Sequence, residues 1–90
     1  MRLSFGERAR NDLARILDFN AQRSEAWAEK VQHRLVQRAS GLLGAPRSGR
    51  KITKAGMRRM SVPDIQYVID YRLKVDVVEI VRIRSTREIP

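Results

Sequence analysis

The segment from residue 57 to residue 87 constrains the fold most, because it reads as three consecutive β-strands. The predicted strands cover residues 58–62, 65–73 and 77–84, and they are rich in Val, Ile and Tyr, which suit a pleated, half-buried surface. Pro63 and Asp64 favour a tight turn between the first two strands. Because short connections join neighbouring antiparallel strands, the segment predicts a β-meander.

Alternation along the middle strand predicts which face is buried. Five apolar or aromatic residues share one face, which is the expected seat of the helices: Ile65, Tyr67, Ile69, Tyr71 and Leu73. The other face carries Gln66, Val68, Asp70 and Arg72. The closing strand has apolar residues on both faces, with Val77, Val81 and Ile83 favouring one and Val78 and Ile80 the other. This pattern indicates a central strand or a face that a partner covers.

The N-terminal half predicts two helices. Ser4 and Glu7 have the spacing of a capping box, and they predict a first helix over residues 6–21. Ser24 is the expected cap of the second helix. The predicted apolar stripes are Phe5, Ala9, Leu13, Ile16, Leu17 and Asn20 in the first helix, and Trp27, Val31, Leu35, Ala39 and Leu42 in the second.

Gly41 and Gly44 are candidate left-handed C-terminal caps, and Pro46 ends the helical region. Residues 1–5 form either a short first strand or a lead-in. The short link predicts an antiparallel helix hairpin, packed on a small antiparallel β-sheet in one α+β domain that spans residues 1–90.

The charge is strongly basic and unevenly placed. The chain has 19 Lys and Arg against 10 Asp and Glu, a net charge of +9, which predicts attraction to a polyanion or to an acidic protein. Residues 46–59 contain no acidic residue, and we expect them to form a loop that leads into the first strand of the meander. The cations predicted to bind a target or partner are Arg47, Arg50, Lys51, Lys54, Arg58, Arg59, Arg82, Arg84 and Arg87.

Groups that commonly transfer protons or bind metals are scarce. His33 is the single histidine, its place in the second helix is far from the basic strands, and there is no cysteine. We therefore expect no metal site and no cofactor. Tyr67 and Tyr71 could stack on bases, but a core position is commoner for alternating tyrosines. A cluster such as Arg58, Arg82 and Arg84 could bind nucleic acid, stabilise a phosphoryl transition state or dock an acidic peptide.

No apolar run approaches the length of a membrane span, and no secretory signal is visible, so the sequence predicts a cytoplasmic protein.

The chain resembles the RelE/ParE superfamily of bacterial toxins from type II toxin–antitoxin modules, over nearly its whole length. The resemblance rests on the order and spacing of several motifs. They are the helix motif Ala9-x-x-Asp12-Leu13-x-x-Ile16-Leu17, the loop at residues 46–50, the strand at residues 56–62, the strands at residues 67–72 and 77–83, and the ending at residues 84–90. The resemblance implies a small antiparallel sheet with a helix hairpin.

The superfamily implies two alternative activities. RelE-like members cleave messenger RNA on the ribosome with basic residues and a C-terminal Tyr or His, and Lys51, Lys54, Arg58 and Arg82 match such basic residues by position. ParE-like members inhibit DNA gyrase without that residue set. Ser85 stands where many relatives have His, and no Tyr or His follows Tyr71.

The resemblance therefore favours a ParE-like gyrase inhibitor, which blocks replication and is not an enzyme. The alternatives are a ribosome-dependent mRNA endonuclease and a basic module that only binds a macromolecule. In each case the implied partner is a cognate antitoxin with an acidic, amphipathic C-terminal segment.

Overall fold

The computed structural model describes residues 1–89, so Pro90, the last residue of the predicted domain and of the C-terminal motif, lies outside the described residues. The elements follow in the order β1 (Arg2–Phe5), α1 (Glu7–Ala21), α2 (Glu25–Gly41), β2 (Arg50–Lys51), β3 (Arg58–Val62), β4 (Tyr67–Leu73) and β5 (Val77–Ser85). A 3-10 turn, Thr86–Glu88, follows β5. The predicted α+β architecture of two helices followed by a sheet is confirmed.

The sheet has five strands in the order β1-β5-β4-β3-β2. Strands β3 to β5 pair antiparallel, as the meander predicts, and β2 adds a short antiparallel edge strand where a loop was expected. In contrast, β1 pairs parallel to β5, with Arg2 opposite Val77 and Phe5 opposite Ile80. The sheet is therefore mixed, and not purely antiparallel as the sequence suggested. Residues 2–5 are a true strand, because β5 offers its free edge to them once β4 occupies the other edge.

The turn before β4 is longer than predicted. Residues 63–66 form it, with backbone bonds from Ile65 to Val62 and from Gln66 to Pro63. Gln66 has a φ of 61°, in the left-handed region that an extended strand does not use. For this reason β4 begins at Tyr67 and not at Ile65.

The helix caps agree with prediction at one of the three places. Ser24 caps α2, since its hydroxyl accepts from the Trp27 N–H at 3.2 Å. The predicted capping box of α1 is wrong, because Ser4 is paired in β1 and Gly6 is the N-cap without a side-chain bond. Gly41 and Gly44 are not left-handed caps, because α2 ends through Leu42 in right-handed geometry.

The core lies between the helix hairpin and one face of the sheet. Its helix side includes Ala9, Ile16, Val31, Leu35, Ala39 and Leu42, and its sheet side includes Met60, Val62, Ile65, Tyr67, Ile69, Tyr71, Val78, Ile80 and Ile83. The predicted stripes are confirmed in large part, with Leu13, Trp27 and Leu73 packed at the margin.

A β-bulge explains why the closing strand carries apolar residues on both faces. Asp70 pairs with Arg82 but the next residue, Tyr71, pairs with Ile80, so Val81 is an extra residue in β5. The alternation therefore changes phase at Val81, and Val78, Ile80 and Ile83 all reach the core with no exposed surface.

Neither helix of the described residues has the length and apolar character required to cross a membrane.

Candidate functional site

The basic segment forms an edge hairpin, which we call the basic hairpin and define as residues 47–59. Its strands β2 and β3 place Arg50 opposite Arg59 and Lys51 opposite Arg58. Like charges directly opposite each other in a sheet are destabilising. The hairpin thus concentrates positive charge in an arrangement that an anionic partner would relieve.

The exposed cations of this hairpin are Arg47, Arg50, Lys51 and Lys54. None of these four side chains is in an ion pair within residues 1–89.

The start of the basic hairpin is tied to the sheet by two side chains. The buried Tyr71 hydroxyl donates to the Pro46 carbonyl at 2.8 Å and accepts from the Gly49 N–H at 2.8 Å. Nη1 of Arg58 donates to the carbonyls of Arg47 and Gly49, at 3.1 and 2.7 Å. Gly49 is required for this contact, because a Cβ there would lie 2.5 Å from the Tyr71 oxygen.

A second group of cations surrounds Asp70. Asp70 accepts from Arg59 at 2.6 and 3.0 Å and from Arg84 at 2.8 Å, and it is only 3% exposed. Burial raises the pKa of Asp70, but the hydrogen bonds from Arg59 and Arg84 outweigh burial and hold the pKa below its ordinary value. Because Asp70 alternates with Ile69 and Tyr71, it projects from the sheet face opposite the core.

Arg82 belongs to a third location. Its Nε donates to Asp12 of α1 at 2.8 Å, and the Ile83 N–H donates to the same carboxylate at 2.9 Å. Burial raises the pKa of Asp12, but the bonds from Arg82 and the Ile83 backbone hold it below its ordinary value. Asp12 was not part of the apolar stripe predicted for α1, but it is only 3% exposed and lies on the buried side of the helix.

The burial of Asp12 could have been predicted from its spacing relative to the apolar residues of α1. Asp12 lies three residues after Ala9 and four before Ile16, so it belongs to the buried stripe of α1.

The structure therefore does not bring all the predicted cations together. Arg47, Arg50, Lys51, Lys54 and Arg58 share the basic hairpin, while Arg59 and Arg84 meet at Asp70. Arg82 is bound to Asp12, and Arg87 lies exposed in the 3-10 turn. Accordingly Arg58, Arg82 and Arg84 do not form the single cluster that the sequence suggested, although Arg82 and Arg84 are neighbours in β5.

A groove of about 620 Å³ lies where the end of α1 meets the start of α2. It is bordered by the exposed Phe19 and the half-buried Trp27. Beneath it, Asn20 joins three elements, donating to the Tyr67 hydroxyl at 3.1 Å and accepting from Trp27 Nε1 at 2.9 Å. Tyr67 and Tyr71 are thus core residues, and neither ring is free to stack on a base.

His33 is exposed on α2, which does not contribute to the basic hairpin. Within residues 1–89 no group of three or more His, Asp or Glu side chains is placed to hold a metal ion.

Comparison with known proteins identifies the family. The model of the family described as ParE toxin of type II toxin-antitoxin system, parDE, matches residues 3–90. No curated protein sequence matches the chain. A solved structure described as the chromosomal ParDE TA system from P. aeruginosa contains a chain of the same fold, with a TM-score of 0.83 and 23% identity over 94% of this chain and 95% of that one. The family match covers nearly the whole sequence, and the protein therefore belongs to the ParE toxins of type II toxin–antitoxin systems.

Proposed function

We propose that this ParE-like toxin inhibits DNA gyrase, blocks replication and is neutralised by a cognate antitoxin. The observation that carries the proposal is the family match over residues 3–90. The surface agrees with a protein that acts by binding, because exposed cations line the β2 edge of the sheet. Fixed cations favour association with an acidic macromolecular surface.

The antitoxin is proposed to carry an acidic, amphipathic C-terminal segment. Large apolar side chains are exposed on the helix hairpin, with Phe19 62% and Val36 41% exposed, and they need an apolar cover. The groove beside Phe19 is bordered by Arg15, Arg23 and Arg87, which would pair with acidic side chains. An apolar face flanked by acidic residues would satisfy both requirements.

Cleavage of mRNA is the weaker alternative. Of its proposed residues, Lys51 and Arg58 are opposite each other, but Arg82 lies on β5, beyond the intervening strand β4, and is bound to Asp12. The backbones of β3 and β5 are about 10 Å apart, since neighbouring strands lie about 4.8 Å apart. Tyr71 is the tyrosine that reaches the basic hairpin, but its hydroxyl is already bonded to Pro46 and Gly49. A missing proton-transfer group costs roughly 10²–10⁴-fold in rate.

The test is a supercoiling assay with purified gyrase and relaxed plasmid. We expect the toxin to reduce supercoiling and to increase the linear DNA that is released when trapped cleavage complexes are denatured. Full gyrase activity at excess toxin would contradict the proposal. Sequencing of transcript ends after induction tests the alternative, and codon-periodic cuts would establish it in place of gyrase inhibition.

A further inference from the structure

We propose that the basic hairpin is a binding site for the phosphate backbone of duplex DNA, held in its binding geometry by Tyr71 and Arg58. This inference goes beyond gyrase inhibition, because it concerns a direct contact between the toxin and DNA. It does not depend on which enzyme the toxin inhibits.

The first argument is the unpaired charge. The ion pairs of the described residues use the carboxylates of Asp12, Asp64, Asp70 and Glu79, and among the hairpin cations these reach Arg59 alone. Lys51 lies opposite Arg58, and neither side chain has a carboxylate partner among the described residues, so like charges face each other in the free protein. A ligand with repeated negative charges relieves that repulsion when it binds, and a phosphodiester backbone has one charge per nucleotide.

The second argument separates DNA from an acidic amphipathic peptide. The large exposed hydrophobic residues lie outside residues 47–59: Met1, Phe19, Val36, Leu43 and Val75. The exposed side chains between Arg50 and Ala55 are polar, cationic or small. The stretch from Arg50 to Ala55 gives an amphipathic segment little apolar contact, whereas phosphate needs charge and hydrogen-bond donors. The apolar pocket near the hairpin, lined by Met1, Pro46 and Leu73, lies beside its start at Arg47 and away from Lys51 and Lys54 in sequence.

The third argument separates duplex DNA from single strands. Proteins that hold single strands stack bases on exposed aromatic rings. Residues 47–59 contain no aromatic residue, and Tyr67 and Tyr71 are buried in the core. The basic hairpin is thus equipped for a backbone whose bases are already stacked within a duplex.

The fourth argument is preorganisation. Four polar contacts fix the segment before β2, two from the Tyr71 hydroxyl and two from Arg58 Nη1. Ordering a loop on binding costs free energy, so a segment already ordered in the free protein binds more tightly. Tyr71 and Arg58 are positioning residues in this scheme, and the contacts to phosphate are made by Arg47, Arg50, Lys51 and Lys54.

The experiment measures fluorescence anisotropy of a labelled DNA duplex over a series of salt concentrations. Lys51→Gln/Lys54→Gln is compared with Arg2→Gln/Arg8→Gln, which removes the same charge from exposed positions outside the hairpin. We expect the hairpin variant to bind at least about tenfold more weakly and its log–log salt slope to fall by about two. The control should keep most of its affinity and slope. Equal losses in both variants would show that only net charge matters, and the proposal would be overturned.

The positioning role of Tyr71 is tested with two variants that each lose one hydrogen-bonded, buried hydroxyl. Tyr71→Phe frees the segment at Pro46 and Gly49, whereas Tyr67→Phe affects only the contact with Asn20. We expect Tyr71→Phe to weaken DNA binding by about fivefold and Tyr67→Phe to leave it unchanged. Faster tryptic cleavage after Arg47 and Arg50 in Tyr71→Phe alone would show that the segment has been released. Equal DNA affinity in the two folded variants would refute the positioning role of Tyr71.

Binding measurements with other ligands identify the class of ligand that the hairpin prefers. Tighter binding to single-stranded RNA, or binding of an acidic peptide at the basic hairpin with no binding of DNA, would overturn the proposal. Gyrase inhibition is assayed on the same variants, so that the two proposals fail separately. Inhibition without DNA binding would reject this inference alone, and DNA binding without inhibition would reject only the gyrase target.

Discussion

Two buried carboxylates, Asp12 and Asp70, determine where three of the arginines point. Asp70 holds Arg59 and Arg84, and Asp12 holds Arg82 against α1. These arginines were predicted to contact a partner, from the charge of the chain and for Arg82 also from the resemblance, but the structure gives each of them an internal hydrogen-bonding role. A charge count along a strand cannot distinguish the two roles, because the acceptor lies on another element.

Replacement of Asp70 should be strongly destabilising. Asp70→Asn removes the charge that Arg59 and Arg84 both contact, and breaking a buried ion pair by removing one partner typically costs several kcal/mol. We expect a loss of about 3 kcal/mol in the free energy of unfolding, measured by urea denaturation. The control is Asp64→Asn, because the Asp64–Arg34 pair is exposed and should matter little. Equal losses in the two variants would show that the burial of Asp70 is unimportant.

The same carboxylates predict how stability depends on pH. The folded-state pKa values of Asp12 and Asp70 lie below their ordinary 3.8, so each stabilises the fold above that pH. This contribution is lost as the pH falls below 3.8 through the folded-state values. Urea midpoints measured between pH 7 and pH 3 should therefore fall on acidification, and less steeply in Asp70→Asn. A variant with the wild-type acid dependence would exclude Asp70 as a cause.

At the scale of elements, local patterns predicted the helices and the meander well. Ser24 and the apolar stripe of α2 act as the sequence indicates, and a turn follows Val62 as expected although it extends to Gln66, because each of these features depends on residues close in the chain. The parallel pairing of β1 and the bulge at Val81 were not predicted. Both depend on contacts between distant residues, which local periodicity does not record.

The candidate site was predicted in part for the same reason. The lack of acidic residues in residues 46–59 indicated a basic loop, whereas the structure pairs Arg50 and Lys51 with β3 to form a hairpin. The contact of Tyr71 with Pro46 and Gly49 was missed, because it joins β4 to a loop 22 to 25 residues earlier.

Gly49 should be intolerant of a side chain. A Cβ at this position would lie 2.5 Å from the Tyr71 oxygen and 2.6 Å from Cε1, and the fully buried ring has no room to retreat. We expect Gly49→Ala to lower the free energy of unfolding by about 1–3 kcal/mol, or to displace the loop with loss of the hydrogen bonds from Tyr71. Thermal melting and amide exchange at Arg50 would report the two effects.

Gly41 provides the matched control for that substitution. A Cβ at Gly41 would meet nothing within 4 Å, and the residue lies at the end of α2. Gly41→Ala should leave stability unchanged or raise it by up to about 1 kcal/mol. If Gly49→Ala were as stable as Gly41→Ala, the close approach of Gly49 to Tyr71 would be disproved.

At the scale of the whole molecule, a net charge of +9 on 90 residues disfavours the compact state through self-repulsion. Salt screens this repulsion, since the Debye length falls from about 10 Å at 0.1 M to about 3 Å at 1 M. We expect the Tm to rise by about 4–8 °C between 0.05 and 0.5 M NaCl, which corresponds to roughly 1 kcal/mol in a domain of this size.

Differential scanning fluorimetry of the wild type and of Lys51→Gln/Lys54→Gln would measure this effect. The variant should start from a higher Tm at low salt and gain less from added salt, because less charge remains to be screened. A Tm that falls with salt would mean that the ion pairs at Asp12 and Asp70 dominate the electrostatics of the fold.

The parallel pairing of β1 with β5 has a consequence for how the toxin is made. Arg2–Phe5 are synthesised before their pairing partner, Val77–Ser85, and more than seventy residues separate the two strands along the chain. The sheet cannot close, and the helix hairpin cannot gain its full apolar cover, until translation has passed β5. A chain that ends before β5 should therefore lack both the parallel edge strand and the complete core.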